Sequence, residues 1–116
     1  MPSLLFIYGT LHPDRAPAEI ASAARRLTLI GPATIRGTLL DLGEYHGVLL
    51  DSTAPVIPGE LFLVPDDETL AALDAYEDFR PGDLANSLFL RQLTTATLED
   101  GTQLPCWVYT YNWPIP

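Results

Sequence analysis

A chain of 116 residues in which 47% of side chains are hydrophobic is long enough for one domain with one buried core. Its formal charge is −9, with six arginines and no lysine, which excludes the basic footprint that nucleic-acid binding needs and sets the protein against an anionic membrane surface. A single cysteine, Cys106, excludes an internal disulfide, and no apolar run approaches the ~20 residues of a membrane helix.

From the N-terminus, Ser3 to Tyr8 reads as a buried strand. No basic residue precedes it, and it lacks the length and small-residue cleavage site of a signal peptide, so a cytoplasmic protein is expected. Gly9 ends the strand, and Thr10-Leu11-His12-Pro13 is turn-like. Residues 14–27 have helical spacing in Ile20, Ala23, Ala24 and Leu27, with Arg25 and Arg26 where cations suit a helix C-terminus. Residues 33–40 are a strand in which Gly37 marks a bulge or a close approach. A two-glycine loop at 43–47 leads to a short strand at 48–50 and a turn at 51–55. A strand lies within 56–64, and Asp66 is placed to cap the helix that follows.

That helix, over residues 66–77, has Leu70, Leu73 and Tyr76 on one stripe at about 100° per residue. Glu77 projects between Leu70 and Leu73, while Asp67, Asp74 and Asp78 gather on a different side. After an irregular polar loop at 78–87, residues 88–98 and 103–111 form two strands joined by an Asp100-Gly101 hairpin turn. With neither a strict strand-helix-strand repeat nor a linker, residues 1–116 are expected to be one α+β domain. Its sheet is curled, mostly antiparallel and barrel-like, with about six strands and two helices.

Three groups of residues have chemical potential. Glu77, facing the core, would lose hydration, and desolvation raises a carboxyl pKa toward the range useful for proton transfer; the alternative phase leaves it exposed at a fraying helix end. The Tyr8-Gly9-Thr10-Leu11 turn can present free backbone N–H groups to negative charge, or can be plain punctuation after a strand. Arg36 and Arg91 lie in apolar strands and can each meet a buried or a substrate carboxylate, with Arg36 expected to face outward and Arg91 of more interest. Cys106 reads as core filler, and with His12 and His46 it has no metal-ligand spacing. No dinucleotide or P-loop motif is present; no metal or cofactor is expected.

These residues together resemble the γ-glutamylcyclotransferase-like family, including its AIG2-like and γ-glutamylamine branches. Tyr8-Gly9-Thr10-Leu11 is similar to the family's Y-G-[ST]-L motif, and Gly59-Glu60-Leu61-Phe62 to its G-E-L/V-Y/F strand. Leu73-Asp74-Ala75-Tyr76-Glu77 resembles the L-D-x-x-E motif with the catalytic glutamate. Ser87 to Arg91 resembles a Y-x-R segment, with Phe89 standing where the family usually has Tyr, and Trp107-Val108-Tyr109 resembles the closing strand. The resemblance implies the fold above and a small-molecule γ-glutamyl substrate whose α-amine closes onto its own γ-carbonyl to give 5-oxoproline. Glu77 would be acid and base, with Tyr8, Gly9, Thr10, Leu11 and Arg91 binding substrate. A non-catalytic binding or interaction module on the same fold is the alternative, and an exposed Trp113 would supply a homodimer contact.

Overall fold

The apolar run at the N-terminus becomes a strand with neighbours on both sides. In this computed structural model, which describes residues 2–8, 16–43 and 46–113, β1 (Ser3–Ile7) pairs antiparallel with β4 (Val56–Val64) and parallel with β6 (Gln103–Tyr111). β4 also pairs with β2 (Thr28–Asp41), and β6 with β5 (Phe89–Leu98), both antiparallel. Ala33 opposite Leu98 and Thr34 opposite Thr97 join β2 to β5 and close a five-stranded mixed barrel. An extra strand, β3 (His46–Leu50), pairs with Gly37 to Asp41 of β2. Among the described residues there are two α-helices, α1 (Ala18–Ala24) and α2 (Asp67–Tyr76).

Strand alternation sorts the core into two layers. Phe6, Ile35, Leu61, Ala96, Cys106 and Val108 share the layer that no helix residue enters, the barrel interior. Leu5, Ile7, Phe62, Val64 and Tyr109 point the other way and are covered by Ile20, Ala23 and Leu27 around α1 and by Leu70 and Leu73 of α2. Cys106 is the interior filler its surroundings suggested, and burial pushes its thiol up to about 11. Gly59 is needed where β4 crosses β1: a Cβ there would lie 2.5 Å from the Phe6 ring and 2.6 Å from the Ile7 carbonyl oxygen. Gly37 is a close approach of the same kind, 2.6 Å from the Leu49 carbonyl.

Two boundaries differ from the sequence reading. Within the described residues the first helix begins at Ala18, because Pro17 is its extended N-cap and a residue preceding proline is pushed out of helical conformation. It ends at Ala24, and Leu27 is buried just beyond it. β2 starts at Thr28, five residues earlier than expected: Gly31-Pro32 looks like a break, but a bulge between Leu29 and Gly31 carries the pairing with β4 through it. Gly9, Thr10, Leu11, His12 and the expected start of the first helix at Asp14 lie outside the described residues.

Candidate active site

Asp66 starts α2 by accepting the Thr69 N–H at 2.8 Å, leaving Asp67 and Glu68 in the first turn, where the helix dipole favours negative charge. The helix ends with an αL cap. Asp78 adopts φ 56, its N–H donates to the Ala75 carbonyl, and the Phe79 N–H reaches back to the Asp74 carbonyl at 2.9 Å. This six-to-one and five-to-two pair of bonds is a Schellman motif, and it fixes the backbone of Glu77, the residue at its centre. The following loop is tied down as well: buried Ser87 Oγ accepts the Arg80 N–H at 2.8 Å, and Leu88 N–H donates to the Asp78 carbonyl.

Glu77 is half-buried, and burial pushes its carboxyl up to about 7. Among the described residues no hydrogen bond or ion pair reaches that carboxylate. Two phenols share its surroundings. Burial raises the Tyr8 hydroxyl well above its ordinary range, and the Glu77 charge adds to the effect; Tyr109 is raised likewise by burial and by its bond to Asp74, with Glu77 contributing again. Both hydroxyl protons are already committed, that of Tyr8 to the Tyr109 carbonyl and that of Tyr109 to Asp74 Oδ1, each at 2.7 Å. The end of β1, the C-terminal turn of α2 and β6 therefore converge on one sheltered carboxylate that nothing described neutralises.

Asp74 is not on an open side of α2. It is 7% exposed, one turn before Glu77. The reason is Arg91 on β5, whose Nε and Nη2 donate to the two Asp74 oxygens at 2.8 and 3.2 Å. Its guanidinium also lies over the rings of Trp107 and Phe79, at 4.3 and 5.5 Å from their centroids. A buried carboxylate is tolerated when it is paired and hydrogen-bonded, and here both partners come from strands that a helical wheel does not display. Of the two destinations expected for Arg91, the structure shows the guanidinium on the buried carboxylate of Asp74. Sequence reasoning missed Asp74 and Tyr109, although the three-residue step from Asp74 to Glu77 already made them neighbours on the helix surface.

Phe89 is buried in the layer beneath the helices, edge-on to Tyr111 with ring centroids 5.9 Å apart. Arg36 faces outward and donates to the Ala54 carbonyl at 3.0 Å; His46 is exposed. No helix among the described residues is long and apolar enough to cross a membrane.

The profile of a family described as gamma-glutamyl cyclotransferase, AIG2-like, matches residues 5–115. Among solved structures, an AIG2-like protein from Mus musculus superposes with a TM-score of 0.77 at 23% identity, over 99% of this chain and 80% of that one. YkqA from Bacillus subtilis gives 0.72 at 22% identity over 97% of this chain, which spans only 37% of YkqA. A gamma-glutamyl cyclotransferase gives 0.70 at 13% identity, over 97% and 68% of the two chains. At these identities the likenesses speak for the fold. No curated protein sequence matches.

Proposed function

This chain belongs to the gamma-glutamyl cyclotransferase, AIG2-like family, and from that premise we propose that it is a cofactor-free cyclase of γ-glutamyl amines or peptides, releasing 5-oxoproline and a free amine or amino acid. The observation that supports this reading is Glu77, a carboxylate pushed up to about 7 by burial, unpaired among the described residues, near two phenols with committed protons.

The chemistry asks for such a group. The substrate's α-ammonium must lose a proton before its nitrogen can attack the γ-carbonyl. The nitrogen–carbon bond that forms closes the five-membered lactam, and the bond that breaks releases the leaving nitrogen. Two protons pass in all from the α-nitrogen to the leaving nitrogen. Glu77 carries them one at a time, as base and then as acid, which suits a carboxyl titrating near neutrality. An unpaired carboxylate in a dry site also attracts the ammonium that it is to deprotonate. Because the attack is intramolecular, the site has chiefly to hold the substrate folded. In this reading Tyr8 walls the pocket, and the backbone N–H groups of Gly9, Thr10 and Leu11 take the substrate carboxylate or the developing oxyanion. One preorganised oxyanion donor is worth about 3–4 kcal/mol.

The decisive experiment is Glu77→Gln assayed by 5-oxoproline release. Turnover should fall by roughly 100-fold to 10,000-fold, the usual contribution of a general acid–base, with the fold retained by circular dichroism; undiminished turnover would remove Glu77 from the mechanism. Phe89 favours one rival, a binding module without turnover, since no phenol is available at that position. A broad panel of γ-glutamyl compounds yielding no product, with one of them raising the melting temperature, would select the rival.

A further inference from the structure

We infer that Asp74 and Arg91 are positioning residues for Glu77: with Tyr109 they hold the last turn of α2 against β5 and β6, and by cancelling each other's charge they leave the Glu77 carboxylate open to a substrate ammonium. The inference rests on the acid–base reading of Glu77 given above.

The anchoring of α2 changes along its length. Its buried side chains are Thr69, Leu70, Leu73 and Asp74, so the apolar grip lies in the first two turns. Toward Glu77, where Tyr76 and Phe79 are only partly buried against the same cluster, a polar hold is added. Three hydrogen bonds converge on the Asp74 carboxylate, two from Arg91 on β5 and one from Tyr109 on β6. Arg91 also lies against Phe79, whose backbone N–H closes the helix cap on the Asp74 carbonyl. One guanidinium thus grips the chain at 74 and at 79, and Glu77 lies between. Trp107 on β6 covers the same guanidinium. The helix with its side chains is a cylinder of about 5–6 Å radius, so a turn of about 10° moves its surface by about 1 Å. A misplacement of about 1 Å can cost about 100-fold in rate.

Stability is a weak reason for such a pair, because replacing a buried ion pair by apolar residues is often neutral or stabilising. The electrostatic layout gives a better one. The ionisable groups near Glu77 among the described residues include Tyr8 just beyond β1, Tyr109 of β6, the flanking Tyr76 and half-buried Asp78, and Asp74 one turn back with its partner Arg91 of β5. The phenols stay neutral, and Asp74 and Arg91 oppose each other one turn from Glu77. Removing one member of the pair should therefore expose Glu77 to the other, with opposite sign in the two cases.

The test is a carboxyl-carbon NMR titration of Glu77, with kcat and KM measured in parallel, on Asp74→Asn, Arg91→Gln, the double variant and Arg91→Lys. Asp74→Asn should lower the Glu77 midpoint and Arg91→Gln should raise it, each by about one pH unit for charges partly screened by the protein. The double variant should return it toward the starting value. Arg91→Lys keeps the charge and loses the two-pronged grip, so it should leave the midpoint in place and lower kcat by about 10-fold to 100-fold with KM little changed. Should Arg91→Gln or Asp74→Asn not fold, Arg91→Lys and Tyr109→Phe carry the kcat comparison. Single variants that move the midpoint in the same direction, or leave both midpoint and kcat untouched, overturn the inference. Opposed midpoint shifts in a protein that turns over no γ-glutamyl compound would keep the electrostatic half and reject the proposed reaction instead.

Discussion

The two faces of β6 set apart an apolar layer and a layer that holds buried polar groups. Cys106 and Val108 point into the barrel, into a layer built almost wholly of aliphatic and aromatic side chains. Trp107 and Tyr109, one residue away on each side, point under α2, into a layer where Asp74, Arg91 and the Tyr109 phenol are buried or half-buried among Leu5, Ile7 and Leu73. A period of two residues is enough to separate them. The inner face is fit to resist water and nothing else. The outer face pairs Asp74, Arg91 and Tyr109 with one another, while among the described residues Thr69 Oγ1 on α2 is buried without a hydrogen-bond partner and no hydrogen bond or ion pair reaches Glu77. On the proposed reading, Glu77 is the acid that this face keeps for proton transfer.

The largest expected effect tests the inner face. Leu61→Ala, at a fully buried interior position, should lower the unfolding free energy by about 2–5 kcal/mol through lost transfer energy and a residual cavity. At temperatures where the variant is folded, kcat should be unchanged. A matching loss of kcat would show that the two faces are not separable.

The next effect tests the outer face through pH. The folded Glu77 carboxyl is raised from 4.5 to about 7, so between those values the native state binds more protons than the unfolded state. Its stabilising contribution is therefore complete below about 4.5 and is lost as pH rises through about 7. Urea denaturation should find the protein weaker at about pH 8 than at about pH 5 by a margin on the order of 2 kcal/mol from this group, and Glu77→Gln should lack that margin. On the proposed mechanism, kcat/KM climbs over the same window as the base form appears, and kcat climbs at lower pH because a bound ammonium favours the carboxylate. Identical pH dependence of stability in the Gln variant would place Glu77 in water.

The smallest effect concerns the cap beside Glu77. Asp78 holds φ 56 without being glycine. Asp78→Gly should relieve that conformation and stabilise by about 0.5–1 kcal/mol, less the small worth of the exposed Arg80 contact. A destabilised Gly variant would mean that the Asp78 side chain matters more than its backbone.

Much of the fold was legible because its signals are local. The Asp66 cap, the Asp100-Gly101 hairpin and the alternation of β1 and β6 each depend on a few neighbouring residues and stand where the sequence put them. The extension of β2 through Gly31-Pro32 was not legible, since only the partner strand β4 overrides those residues. At the candidate site the divide falls between two carboxylates three residues apart. The desolvation of Glu77 could be anticipated from the stripe of Leu70 and Leu73, because helical phase is a property of the chain itself.

By itself the sequence determined that the chain is acidic, that β1 is buried, and that an acid stands at the C-terminal end of a helix, facing the apolar stripe in one of two phases. Only the tertiary structure decided that Asp74 is buried beside it, gripped by Arg91 from 17 positions away and Tyr109 from 35. The reason is that a polar group's burial is set by the partners that reach it, and partners so distant in the chain meet only when the barrel closes.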